Sequence, residues 1–202
     1  MESFTVLTAV AAPYDRINVD TDQILPARFL LKRRSDPAYP THLFHDLRWH
    51  ADGTLDAAFV LNQAAYREAR IFVGNRNFGG GSSREAAAIA FGRYGIRCVI
   101  APDFGDIFYN NCVKNGLLPV RLPEPTVASL RRQLHAHPGA ALTVDLPAQT
   151  IIDVEGGRHA FDIDGFSKHC LIEGLSQIDL TLQNLDRIEA FERRYRETHG
   201  WT

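Results

Sequence analysis

The run Asn77-Phe78-Gly79-Gly80-Gly81-Ser82-Ser83-Arg84-Glu85 gathers more groups capable of chemistry than any other stretch of the chain. Three successive glycines let the backbone take positive φ angles and come close to a ligand. The alanine-rich segment Ser82 to Tyr94 then reads as a helix, with Gly95 as its stop. The start of that helix turns unpaired N–H groups and the positive end of its dipole toward the glycines, which is a preformed anion site. Arg84 adds a planar fork matched to a carboxylate. A serine hydroxyl held there can be stabilised as an alkoxide, a base strong enough to take a proton from a carbon next to a carboxylate. Ser82-x-x-Glu85 is also a capping box, a far commoner use of that spacing. The two uses are compatible, because one serine can cap while the other faces a ligand. There is no Gly-Lys-Ser/Thr and no dinucleotide glycine spacing, so nucleotide binding is not implied.

The elements around this turn have to place it. Arg70 to Gly74 reads as a buried strand before it, and Arg97 to Ala101 as a second strand after the helix. One β–turn–α–β unit predicts parallel pairing with a right-handed crossover. Phe4 to Val10 alternates as a strand ending near Pro13, and Asn18 to Pro26 reads as a loop. Ser35 to Pro40 reads as a surface loop. A short helix over Ile107 to Asn115, closed by Gly116, precedes a strand over Leu117 to Leu122. Thr126 is positioned to cap a helix carrying Val127, Leu130 and Leu134 on one face. Strands follow at Leu142 to Leu146, at Ile151 to Val154 and, after the Gly156-Gly157 turn, around His159 to Ile163. Leu185 to Glu197 is an amphipathic helix with Leu185, Ile188, Phe191 and Tyr195 on one side. The expected fold is one compact α/β domain, residues 1–202, with peripheral helices and no linker.

Several other residues have ordinary uses. Asp20 and Asp22, flanking Thr21, have the spacing of Asx-turn residues. His42, His45 and His50 lie in irregular sequence without a metal-ligand pattern and read as surface histidines. Asn110 and Asn111 fit backbone capping. Cys98, Cys112 and Cys170 are odd in number and far apart, fitting neither a disulfide framework nor an iron–sulfur or zinc pattern. Cys112 and Cys170 read as small buried side chains. The formal net charge of −2 gives no field for gathering nucleic acid or lipid, and no apolar run reaches membrane-spanning length. With no signal peptide at the start, a cytoplasmic location is expected.

Taken together, the motifs resemble a known family. Asn77 to Glu85, Ala101-Pro102-Asp103-Phe104-Gly105-Asp106-Ile107-Phe108-Tyr109-Asn110-Asn111 and Lys114-Asn115-Gly116-Leu117-Leu118-Pro119 resemble the swivel domain of the aconitase superfamily. Asn18-Val19-Asp20-Thr21-Asp22-Gln23-Ile24-Leu25-Pro26 resembles that family's N-terminal loop. Similarity to the small subunits of its two-subunit hydro-lyases continues through Phe59-Val60-Leu61-Asn62 and the tail, over nearly the whole chain.

The resemblance implies a swivelling β/β/α three-layer sandwich with a C-terminal helical extension. It implies no cofactor in this chain and a 4Fe-4S cluster held by a partner, the large subunit. The implied reaction is removal of water from a small dicarboxylate, 2-isopropylmalate, and its re-addition in the opposite sense. Another 2-alkylmalate, or homocitrate, is one alternative; a non-catalytic anion-binding module of the same fold is the other. By similarity Ser82 is the base and Asp22 organises the site. Arg84, Ser83, Arg34, Thr21 and Gly81 line it, with Arg33 able to replace Arg34 after a one-residue shift. Gly80 stands where the family usually has Cys, and Ala86 where it has His. Asp36-Pro37-Ala38-Tyr39-Pro40 replaces the usual Gly-Phe-Gly. Because half of such a site comes from a partner, an exposed apolar face is expected.

Overall fold

The computed structural model describes residues 1–81 and 84–200. Its strands are β1 (Val6–Pro13), β2 (Ile71–Val73), β3 (Cys98–Ala101), β4 (Leu118–Arg121), β5 (Ala141–Asp145), β6 (Thr150–Ile152) and β7 (Arg158–Ala160). Its helices are α1 (Thr21–Ile24), α2 (His45–Arg48), α3 (Glu85–Tyr94), α4 (Asp106–Lys114), α5 (Glu124–Ala136), α6 (Gly165–Glu173), α7 (Gln177–Leu182) and α8 (Leu185–Thr198).

The strands form one mixed sheet in the order β4-β3-β2-β1-β5-β6-β7. The strand β1 belongs to both halves. Its last residues, Ala11 to Pro13, pair in parallel with β2, and Val6 to Val10 pair antiparallel with β5. β2 and β3 pair in parallel, as the β–turn–α–β reading requires. Parallel strands need cover on both faces. Every residue of β2 and β3 is buried, and Ala11 and Ala12 of β1 are fully so.

Two cores supply that cover. On one face Phe72 meets Phe91 of α3 at 5.4 Å between ring centroids, and Phe78 meets Phe108 of α4 at 5.9 Å. Edge-to-face and tilted pairs of this kind add about 0.5–1.5 kcal/mol each beyond area burial. On the other face Ile71, Val73, Cys98 and Ile100 share a cluster with Val127, Leu130 and Leu134 of α5 and with Leu142, Val144 and Ile151 of the antiparallel half. The sheet is therefore curled. Helices, parallel half and antiparallel half make the expected layers, with both β layers cut from one sheet.

Some local expectations are corrected. Asn18 to Pro26 contains a helical turn, α1, because the Asp20 carboxylate accepts from the Gln23 N–H at 2.7 Å and caps it. Tyr39–His42 is a 3-10 turn rather than open loop, because the Tyr39 side chain is buried. The first helix after the glycines starts at Glu85 with Arg84 at its N-cap, so Glu85 is not at the capping-box position. Thr126 does not cap α5, which begins at Glu124 behind Pro123. The short helices α6 and α7 add to the expected elements; Asp164 caps the first, and a Ser176–Asp179 capping box starts the second. α8 forms as read, but none of its residues is buried and Phe191 is 56% exposed.

Packing at the glycine turn differs sharply between neighbouring positions. A Cβ on Gly79 would lie 2.3 Å from the Phe108 ring, at a φ of +72°. A Cβ on Gly80 would lie 3.1 Å from the end of the Asn77 side chain, which can move. Gly79→Ala should therefore lose about 2 kcal/mol or more in urea unfolding, and Gly80→Ala less than about 1 kcal/mol. Equal losses would show that the backbone at the turn yields.

Candidate active site

The turn between β2 and α3 is held mainly by backbone hydrogen bonds, with a few side-chain bonds beside them. The Gly79 N–H donates to the Val19 carbonyl at 2.6 Å, and the Thr21 N–H donates to the Gly80 carbonyl at 3.0 Å. On the other side, the Gly105 N–H donates to the Phe78 carbonyl at 2.9 Å, and Phe78 and Phe104 form a parallel bridge. The Asp103 carboxylate accepts from the Asn77 N–H at 2.7 Å. Asn18 and Asn77 both have positive φ, and their side chains bond each other at 3.0 Å. Three segments far apart in sequence thus meet as one platform. A Cβ on Gly105 would lie 2.6 Å from the Gly79 carbonyl oxygen, so this crossing needs glycine.

The charged groups stand on that platform. Arg84, at the N-cap of α3, pairs with Asp22 on α1. The Arg84 side chain is 20% exposed and that of Asp22 53%. Thr21 is buried, and Gly81 has a φ of +91° that brings it against Asp20 and Thr21. Ser82 and Ser83 lie outside the described residues. The platform thus brings together Asp22, Thr21, Gly81 and Arg84.

Arg34 comes to the start of α3 by another route. Buried Tyr39 and its 3-10 turn pack on α3 and return the chain to that helix. The Arg34 guanidinium then lies 3.6 Å from the Glu85 carboxylate. It is thus Arg34 that meets the first residue of α3. Spacing alone gives Glu85 only a capping role; its acidic type beside Arg84 is the signal that points further.

The remaining candidates take structural roles. His42 stacks on Phe29 at 4.1 Å, with the planes 9° apart, so it is a packed ring rather than a surface histidine. Burial, then the neighbouring His45 and Lys32, hold its pKa below the ordinary imidazole value. Among the described residues no group of three His, Cys, Asp or Glu side chains could hold a metal ion. Cys98, Cys112 and Cys170 are all buried, and burial pushes each thiol up. The Asn111 carbonyl accepts from the Asn115 N–H and side-chain amide at the end of α4.

Residues 1–125 match the sequence model of the aconitase C-terminal domain. Residues 178–202 match that of the C-terminal domain of 3-isopropylmalate dehydratase small subunits. The 3-isopropylmalate dehydratase small subunit of Paramagnetospirillum magneticum is 50% identical over 201 residues, covering 100% of both chains. The chain belongs to the 3-isopropylmalate dehydratase small-subunit family. The small subunit from Brevibacillus brevis is 46% identical over 194 residues, covering 96% of this chain and 100% of its own. The crystal structure of a 3-isopropylmalate dehydratase from Methanocaldococcus jannaschii is similar with a TM-score of 0.66 at 26% identity, covering 92% of this chain and 99% of that one.

The Asp22–Arg84 pair has one half-exposed partner, which limits its share of stability to about 1 kcal/mol or less. Asp22→Asn should lower Tm by less than about 4 °C in a chain of this size. A fall well beyond that in calorimetry would make the pair a structural strut rather than a site element.

Proposed function

We propose that this chain is the small subunit of a 3-isopropylmalate dehydratase, a hydro-lyase of leucine biosynthesis that works only with a large subunit. The reaction takes water from 2-isopropylmalate and returns it in the opposite sense to give 3-isopropylmalate. The observation that carries the reading is the pairing of Asp22 with Arg84 beside the glycine turn of a chain 50% identical to such a subunit.

Each residue then has a task. Ser82 takes the proton from the carbon beside a carboxylate, and Ser83 stands next to it. Arg84 and the start of α3 favour the charged form of that oxygen. Arg84 and Arg34 hold the substrate's carboxylates, a dianion being matched by two guanidiniums. Thr21 and Gly81 shape the floor, and Asp22 orients Arg84. The whole chain acts as one swivel unit, with the helices after Gly165 as its extension.

A 4Fe-4S cluster in the large subunit supplies a Lewis acid for the departing hydroxyl. No helix of the described residues is long and apolar enough to cross a membrane, and a cytoplasmic site of action is part of the proposal.

Co-expression with a cluster-bearing large subunit, followed by alkene absorbance across a panel of 2-alkylmalates and homocitrate, tests the reading. Turnover should be greatest with 2-isopropylmalate and absent from the small subunit alone. Ser82→Ala should cut kcat by about 100- to 10,000-fold with KM little changed. Turnover surviving in that variant removes the base assignment; a better rate on another panel member reassigns the substrate.

A further inference from the structure

Glu85 is the first residue of α3, and its carboxylate is engaged from two sides. One oxygen accepts from the Asn115 side-chain amide at 3.2 Å. The other lies 3.6 Å from the Arg34 guanidinium. Asn115 is itself anchored, because its amide also donates to the Asn111 carbonyl at 2.8 Å. A line of contacts therefore runs from the end of α4, through Glu85, to an arginine that arrives on an irregular segment.

We infer that Glu85 is a positioning residue that holds Arg34 in reach of the substrate's carboxylate, with Asn115 fixing the Glu85 rotamer. This rests on the proposed role of Arg34 as a carboxylate binder.

A half-exposed ion pair adds little to folding, and Arg34 and Glu85 are 55% and 49% exposed at their side chains. Their contact matters for a different reason. An arginine on a loop has many rotamers, and binding must select one of them. A carboxylate already fixed by an amide narrows that choice before substrate arrives. The location suits an acid, because a negative charge is favourable in the first turn of a helix. It also gives the start of α3 an alternating pattern: Asp22 with Arg84, and Glu85 with Arg34. Each guanidinium has an acidic partner that aims it.

A purely electrostatic view predicts the opposite effect. An acid beside a dianion site repels the substrate, so neutralising it would tighten binding. The sign of the change in KM separates the two accounts.

The test uses the assembled two-subunit enzyme with 2-isopropylmalate. Glu85→Gln keeps an oxygen for Asn115 and removes the charge facing Arg34. KM should rise about three- to tenfold with kcat within about twofold, since remote carboxylate contacts are made equally in ground and transition states. Asn115→Ala should raise KM in the same direction by less, and Glu85→Asp should recover part of the loss. In an Arg34→Ala background, Glu85→Gln should add nothing further. An unchanged or lower KM for Glu85→Gln, or additivity with Arg34→Ala, overturns the inference while leaving Arg34 as a binder. If Arg34→Ala alone leaves KM unchanged, the substrate-binding role of Arg34 falls, and the inference with it. Thermal unfolding of Glu85→Gln within about 3 °C of the parent separates positioning from damage to the fold.

Discussion

The glycine turn is gripped by backbone hydrogen bonds on two sides, and the rest of the site inherits its position from that grip. Val19 and Thr21 hold Gly79 and Gly80 from one edge; Gly105 and Asp103 hold Phe78 and Asn77 from the other. The bonds extend the parallel half of the sheet beyond its formal ends, as the isolated bridges Asp20–Gly80 and Phe78–Phe104 show. Two of the pinned residues, Gly79 and Gly105, have no room for a side chain. Phe108 fills the space above Gly79, and the Gly79 carbonyl fills the space at Gly105. Glycine at those positions follows from close approach, and α3 is aimed as a result.

Charge is arranged on the platform in pairs. Arg84 and Arg34 each meet an acidic residue near the start of α3, Asp22 and Glu85 in turn. Their partial exposure keeps desolvation costs low, so the pairs can be held ready without a large loss of stability. At the proposed site, a dicarboxylate would compete with carboxylates already paired to these arginines. The formal charge of the chain, −2, would not attract such a ligand at long range.

Much of this is legible from residue types and spacing. The buried runs Ile71 to Val73 and Cys98 to Ala101, the alanine-rich helix between them and the parallel pairing follow from periodicity and chain order. The amphipathic α8 is legible too, because a 3.6-residue period is a local property. So is the family, because several motifs occur in the expected order. That the glycine–serine–arginine run could bind an anion is an expectation from chemistry alone.

Other features are decided only by tertiary contact. Spacing marks Asp22 as a turn residue, and no local rule pairs it with an arginine 62 positions away. Local rules make Glu85 a capping residue; the packing of Tyr39 onto α3 makes it a partner for Arg34. His42 has the sequence setting of a surface residue, and only the fold stacks Phe29 against it. The exposed face of α8 shows the same limit, since periodicity gives the face and not what covers it. Sequence determined which residues could form strands, helices and an anion site, because those depend on neighbours along the chain. The fold determined which charges meet, because a Coulomb contact depends on distance in space, and chain closure alone sets that distance.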